Sequence, residues 1–316
     1  QTNQSLREPP MNGPGTEEPG PPSNNALHGI AEIDRLTGNE ERIREAFSQD
    51  GAVILRGFVS QDLIENFVAA AKLLMLDRLS ALEAGVSGAD NALDGLFRRL
   101  HDIDADHDMD LIRALKNSPA FYAFLGDEAL VAASRACLCS GSLVAIHDIA
   151  QVRIDPPFSD LRNFAWHQDY PYNVSGLNAV TAWLPMTDIA DDMGPLAVLP
   201  GSHRAIQPVI IEQSRHSRNE GTGHTVYQLR IDEAEAECTA VSITGMKAGD
   251  ALLFHGLLVH RSGTNTGGRA RWVINPRFGD ASEAAFVERG WQTVTDRAPL
   301  LFGKIHPDFA VPATDN

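Results

Sequence analysis

Ala251-Leu-Leu-Phe-His-Gly-Leu-Leu-Val-His260 is an apolar run that opens after Gly249-Asp250 and closes on a histidine. Its length and its Phe and Val content suit a buried strand. Strand-like segments of this kind recur at 142–154, 163–170, 178–187, 195–200, 225–231, 239–245, 250–260 and 269–278, separated by Gly, Pro, Asn and Asp. Eight short strands after a helical lead-in predict a mainly β chain with flanking helices, built on a double-stranded β-helix, the cupin-like jelly roll.

Upstream of residue 142 the period is helical. Asn39 caps a helix that carries Ile43, Ala46 and Phe47 and ends at Gly51. Ala52-Val-Ile-Leu55 reads as a short strand. Ser60 caps a long amphipathic helix with Leu63, Ile64, Phe67, Val68 and Ala71 on one face. Further helices are expected through Asp110–Lys116 and Asp127–Cys137. Residues 1–26 are rich in Pro, Gly, Glu, Ser and Asn and read as a disordered tail. The rest, 27–316, reads as a single domain: helical lead-in 27–140, jelly-roll core about 142–280, and a C-terminal extension 281–316.

Composition narrows the function. The formal charge of -16 and pI near 5.0 repel nucleic acid and anionic membranes, so neither is an expected partner. No run approaches the ~18 apolar residues of a membrane span, and no secretory leader is expected in the first 26 residues. Three cysteines, Cys137, Cys139 and Cys238, are too few and too scattered for a disulfide framework. A reducing, cytoplasmic compartment fits. The sequence leaves the oligomeric state open.

The chemistry-bearing feature is Trp166-His167-Gln168-Asp169. On a strand, residues i and i+2 share a face, so His167 and Asp169 project together. A His-x-Asp pair alone says little. A third ligand changes that, because ferrous oxygenases use two His and one carboxylate on one side of the metal. His260, at the end of the apolar run, is the candidate. The next strand places Arg271, Val273 and Asn275 on one face. An arginine facing a barrel interior needs an anion, and a guanidinium grips a carboxylate at two points. The far carboxylate of 2-oxoglutarate is a natural partner, and an exposed edge position is the plain alternative.

The segment Gly249-Asp-Ala-Leu-Leu-Phe-His-Gly-Leu-Leu-Val-His260-Arg-Ser262-Gly-Thr-Asn265, followed by Arg271, resembles the last strands of the phytanoyl-CoA dioxygenase family. Thr181-Ala-Trp183 and Met193-Gly-Pro-Leu-Ala-Val-Leu-Pro-Gly-Ser-His203 are similar to its middle blocks. Gln151-Val-Arg153-Ile154 is similar to a piece of the ectoine hydroxylases in that family. The resemblance covers about 142–280 and implies an iron(II)- and 2-oxoglutarate-dependent oxygenase. It implies His167, Asp169 and His260 as iron ligands, Arg271 as the cosubstrate clamp with Ser262 assisting, Trp183 as a pocket wall, and Gln151 beside the cosubstrate. Arg153, Tyr170 and Asn275 are the substrate-facing candidates. The implied cofactors are Fe(II), 2-oxoglutarate and O2, the products succinate, CO2 and an oxidised small molecule. Tyr170-Pro-Tyr-Asn173 departs from the ectoine hydroxylase signature, so ectoine is not the expected substrate.

Other readings compete. Desaturation, cyclisation or epimerisation runs on the same iron chemistry. A halogenase needs the carboxylate ligand replaced by a small residue, and Asp169 is present. A non-catalytic jelly-roll module or a cupin-type isomerase leaves Arg271 and Ser262 without a task. His203 follows a Pro-Gly turn and reads as a loop residue. His255 lies five residues before His260, and alternation points it to the opposite face. The run His101-Asp-Ile-Asp-Ala-Asp-His107-Asp-Met-Asp110 lacks the Gly and terminal Glu of a calcium loop and reads as a solvated acidic loop near the pocket mouth.

Overall fold

A computed structural model describes residues 29–34, 38–84, 91–159, 163–213, 227–231, 239–293 and 298–312. The expected tail over 1–26 and Cys238 lie outside the described residues. The first half of the chain contains β1 (Glu32–Asp34), α1 (Glu40–Asp50), β2 (Ala52–Arg56), α2 (Gln61–Ala81), α3 (Leu93–Ile103), α4 (His107–Lys116), α5 (Pro119–Leu125), α6 (Glu128–Leu138), β3 (Leu143–Ala145) and β4 (Gln151–Asp155). The second half contains β5 (Ala179–Pro185), β6 (Leu196–Val198), β7 (Val209–Gln213), β8 (Tyr227–Arg230), β9 (Val241–Ile243), β10 (Ala251–His255), β11 (His260–Ser262), β12 (Arg271–Asn275), β13 (Arg277–Asp280), α7 (Ala284–Glu288), α8 (Ala298–Ile305) and β14 (Ala310–Pro312).

The main sheet runs β1-β2-β10-β5-β12-β4, and β13 continues β12 along β5 with β3 at its other side. Its pairs are antiparallel except β1 with β2. A smaller sheet, β11-β6-β9, stacks on it, and a third joins β14, β7 and β8. This is the expected jelly roll backed by helices.

Alternation decides the layers. Val53 and Leu55 of β2 pack into the same cluster as Phe67, Met75, Phe97 and Phe121 of the helices, together with Ala182, Leu184, Leu253, Trp272 and Ile274. Ala52 and Ile54 turn the other way, with Trp183, Leu252, Phe254 and Val273, onto Leu196, Val198 and Ile243 of the smaller sheet. One face of the main sheet therefore carries the helices and the other carries the second sheet. Trp272 meets Phe97 edge-on at 5.5 Å, a contact that fixes α3 against the sheet.

Local signals placed the helix ends. Ser60 Oγ accepts from Leu63 N at 3.3 Å, and Asp127 Oδ1 accepts from Leu130 N at 2.8 Å. Gly51 takes φ +75° at the end of α1, and a methyl group there would run into the His203 ring. The helices α3 and α5 were not expected. The strand expected over 250–260 is broken: β10 ends at His255, and β11 starts at His260 in the other sheet. The segment expected as a strand over 163–170 keeps only a single bridge at His167. The acidic run is not a loop. It ends α3 and starts α4, with Asp108 buried and its carboxylate 3.0 Å from His101 Nδ1.

Candidate metal centre

His167 and His260 exchange two backbone hydrogen bonds, His167 N to His260 O at 3.0 Å and His260 N to His167 O at 2.9 Å. This bridge brings two segments 93 residues apart (260 − 167) into contact. Asp169 does not join them through a pleat. Its backbone is helical, φ −68° and ψ −35°, and leads into the turn Tyr170–Tyr172. Asn173 Nδ2 donates to Asp169 O at 2.9 Å and holds that turn. Gln168 points away and is pinned by the carbonyls of Ala205 and Leu257.

The ligand atoms of His167, Asp169 and His260 all lie within 4.8 Å of one another, and all three residues are buried. Asp169 Oδ1 is 3.8 Å from His167 Nε2 and 3.9 Å from His260 Nε2. Each imidazole meets a backbone carbonyl at Nδ1: Ala165 O for His167 and Leu258 O for His260, both at 2.8 Å. A carbonyl accepts only from Nδ1–H, so the Nε2 lone pairs are turned toward the carboxylate.

Charge states suit a cation. Burial, then the neighbouring His260, push His167 down to about 3, against the pull of Asp169. Burial likewise lowers His260. Burial acts to raise Asp169, but Arg277 and the two imidazoles outweigh it and hold the carboxyl well below the usual range. At neutral pH the set is two neutral imidazoles and one carboxylate. Arg277 Nη2 donates to both Asp169 oxygens at 2.9 Å, and Thr181 Oγ1 donates to Oδ2 at 2.8 Å. Arg277 Nε in turn donates to Thr181 Oγ1 at 3.1 Å, and its Nη1 to Ile149 O. The donor set fits iron(II) held by two histidines and one carboxylate.

A cavity of about 240 Å³ opens on the triad. Gln151, Arg153, Ser262 and Asn275 lie on its wall, as do Phe164, Tyr172, Leu196, Phe254 and Lys116. Asn275 Oδ1 is buried there without a hydrogen-bond partner. Three expected residues are elsewhere. Tyr170 turns its hydroxyl to His306 at 3.0 Å, because the turn after Asp169 sends alternate residues apart and gives the cavity Tyr172 instead. Tyr172 stands edge-on to His167 at 5.4 Å. Trp183 is packed between the sheets. Arg271 faces the interior, as alternation required, but the anion it meets is Asp155 of β4, directly across the pair. His255 and His203 meet at a tilt, ring centroids 5.4 Å apart, with Phe47 beside His255, and neither is on the cavity wall.

Arg277 and Lys116 were missed. Arg277 continues the alternation of Arg271, Val273 and Asn275 inside the segment read as a strand over 269–278, and local pattern alone does not tell it from the other arginines of that segment. Lys116 comes from a helix, and nothing in its local sequence marks it.

The phytanoyl-CoA dioxygenase (PhyH) family model matches residues 47–273. The chain belongs to this family. It is an enzyme of the iron(II)- and 2-oxoglutarate-dependent oxygenase class. Mouse peroxisomal phytanoyl-CoA dioxygenase is 24% identical over 242 residues, 75% of this chain and 68% of that protein. The 1-deoxypentalenic acid 11-beta-hydroxylase of Streptomyces exfoliatus is 26% identical over 273 residues, 82% of this chain and 87% of that one. The fold is shared with the epimerase SnoN, solved with Fe3+, alpha ketoglutarate and nogalamycin RO: TM-score 0.51, 20% identity, 77% of this chain and 84% of that one. No described helix of this PhyH-family chain is long and apolar enough to cross a membrane.

Proposed function

We propose that this chain hydroxylates an unactivated C–H bond of a small metabolite or biosynthetic intermediate, with His167, Asp169 and His260 as the iron ligands. The observation that carries the reading is the buried triad, with both imidazoles fixed through Nδ1 and the carboxylate ionised. When bound there, iron(II) with 2-oxoglutarate and O2 supplies an oxidant able to attack such a bond, releasing succinate and CO2.

The chain's own residues position and protect. Arg277 and Thr181 fix the Asp169 carboxylate, so the ligand needs no reorganisation when metal enters. Phe164, Tyr172, Leu196 and Phe254 give the cavity an apolar side that limits water. Gln151, Ser262 and Asn275 supply the polar side, where cosubstrate and substrate would be oriented. The cavity has room for the reacting part of a molecule rather than the whole of a long one. The names of the mouse and Streptomyces relatives, a dioxygenase and a hydroxylase, support hydroxylation as the outcome.

The test is anaerobic loading with iron(II), followed by air and a panel of small metabolites, read as 2-oxoglutarate-dependent succinate release. Wild type should hold stoichiometric iron and release succinate. Asp169→Ala should lose both, and a variant that kept both would overturn the ligand assignment.

A further inference from the structure

We propose that His306, with Phe302 of α8, is a positioning residue of the metal centre: by holding Tyr170 it sets the turn that aims Asp169 at the two imidazoles and Tyr172 at the cavity. The inference rests on the ligand assignment above. It adds to that assignment a segment outside residues 47–273, the part that the family model matches.

The turn has two sides. Asp169 enters it with a helical backbone, and Tyr170–Tyr172 form a short 3-10 turn. With about three residues per turn, residues two apart face different ways. Tyr172 goes to the cavity wall, edge-on to His167. Tyr170 goes to α8 and is 3% exposed. A buried phenol needs a hydrogen-bond partner. His306 supplies it, with Nε2 3.0 Å from the Tyr170 hydroxyl. Phe302 stands edge-on to the Tyr170 ring at 6.2 Å, and the His306 ring at 5.6 Å.

The same helix reaches the turn that leads to His260. Leu257 packs in one cluster with Tyr170, Val174, Ala298 and Phe302. It lies between β10 and β11, and the carbonyl of the next residue, Leu258, fixes His260 Nδ1. The Asp169 turn is tied to this second turn as well: Tyr170 N donates to Gly256 O at 3.0 Å, and Gln168 Nε2 donates to Leu257 O. Arg277 and Thr181 hold the Asp169 carboxylate, whereas His306 and α8 hold the backbone that carries it. Without the Tyr170 contact, part of the apo population leaves the turn that Asp169 needs. Iron must then reorder it, and the apparent affinity falls in proportion to the fraction still in place. The linkage is reciprocal, so iron must also tighten the C-terminal segment.

The experiment pairs iron(II) titration of the full chain, without O2, with amide hydrogen exchange of the apo and iron-loaded protein. Tyr170→Phe keeps the ring and loses the hydroxyl, and His306→Ala loses the partner. Each should weaken iron(II) binding about three- to tenfold, the range of one hydrogen bond. His306→Gln, which can still bond the hydroxyl, should stay within about twofold of wild type. Tyr170→Phe/His306→Ala should bind no more weakly than either single variant, because both remove the same contact. In wild type iron(II) should slow exchange over 298–312, and in His306→Ala it should not. A merely structural contact would lower the urea stability of the apo protein and leave both readouts unmoved. Iron affinity within about twofold of wild type in both Tyr170→Phe and His306→Ala overturns the proposal. So does exchange over 298–312 that iron(II) leaves unchanged in wild type. An Asp169→Ala protein that binds iron(II) like wild type would instead bring down the ligand assignment, and the proposal with it.

Discussion

Arg271 and Arg277 stand six residues apart (277 − 271) on one strand line, and each is buried against an aspartate. The two pairs are built alike and placed differently. Asp169, the partner of Arg277, lies on the cavity wall and faces two imidazole Nε2 atoms. Asp155, the partner of Arg271, is held between two guanidinium groups and is not among the residues on that cavity's wall. Burial acts to raise Asp155 too, yet Arg153 and Arg271 hold its carboxyl below the usual range. A buried ion pair is therefore no marker of a site by itself. What separates the two aspartates is whether the carboxylate keeps a side open to other donors.

The comparison breaks first on stability. Arg271→Met leaves the Asp155 carboxylate with Arg153 alone in a sealed place, and should destabilise the apo protein by about 3–5 kcal/mol, the cost of breaking a buried pair from one side. Urea unfolding measures it, and with the triad intact iron(II) should stabilise this variant by as much as it stabilises wild type, leaving the gap between them unchanged. Arg277→Met strips the Asp169 carboxylate of a cation as well, but there a metal can take the cation's place. Its iron affinity should fall about 10- to 100-fold, as when other ligand-orienting partners are removed. Iron(II) should therefore stabilise Arg277→Met less than it stabilises wild type, because the gain from a ligand that binds only the folded state shrinks as its Kd rises. If iron(II) stabilises Arg271→Met as little as Arg277→Met, the two pairs are not different in kind.

Much of this was legible in the residues. The cluster of His167, Asp169 and His260 was readable because two imidazoles and a carboxylate are chemically unusual together, and the layers were readable because alternation along β2, β5, β10 and β12 holds. The path to the triad was not. Strand alternation makes His167-Gln168-Asp169 a pleated segment, whereas Asp169 is helical and comes round on a turn held by Asn173. Tyr170 and Tyr172 exchange places for the same reason. Arg271 was correctly sent inward, but its partner lies 116 residues earlier in sequence, and local pattern does not carry strand register. Asp155 sits in the same Gln151–Asp155 strand that supplied two expected site residues, and only the pairing of β4 with β12 shows what it neutralises.

Asn275 lies between the two arginines, two residues before Arg277, and gives the smallest effect and the sharpest sign. Its Oδ1 is buried on the cavity wall without a partner. An unpaired buried acceptor costs the folded protein about 1–3 kcal/mol, so Asn275→Ala should not destabilise the apo enzyme as the loss of a bonded amide would. Any cavity left by the shorter side chain opens into space already there. If the amide instead serves a bound molecule, its loss appears on the ligand side only. A single hydrogen bond contributes about 0.5–1.5 kcal/mol, which is roughly two- to tenfold in affinity at 1.4 kcal/mol per decade. Unfolding of the apo protein and the KM for 2-oxoglutarate and for substrate, measured on the same Asn275→Ala preparation, separate the outcomes. Unchanged or raised stability with one KM increased several-fold places Asn275 against that molecule. Lost stability with both KM values unchanged makes its role structural instead.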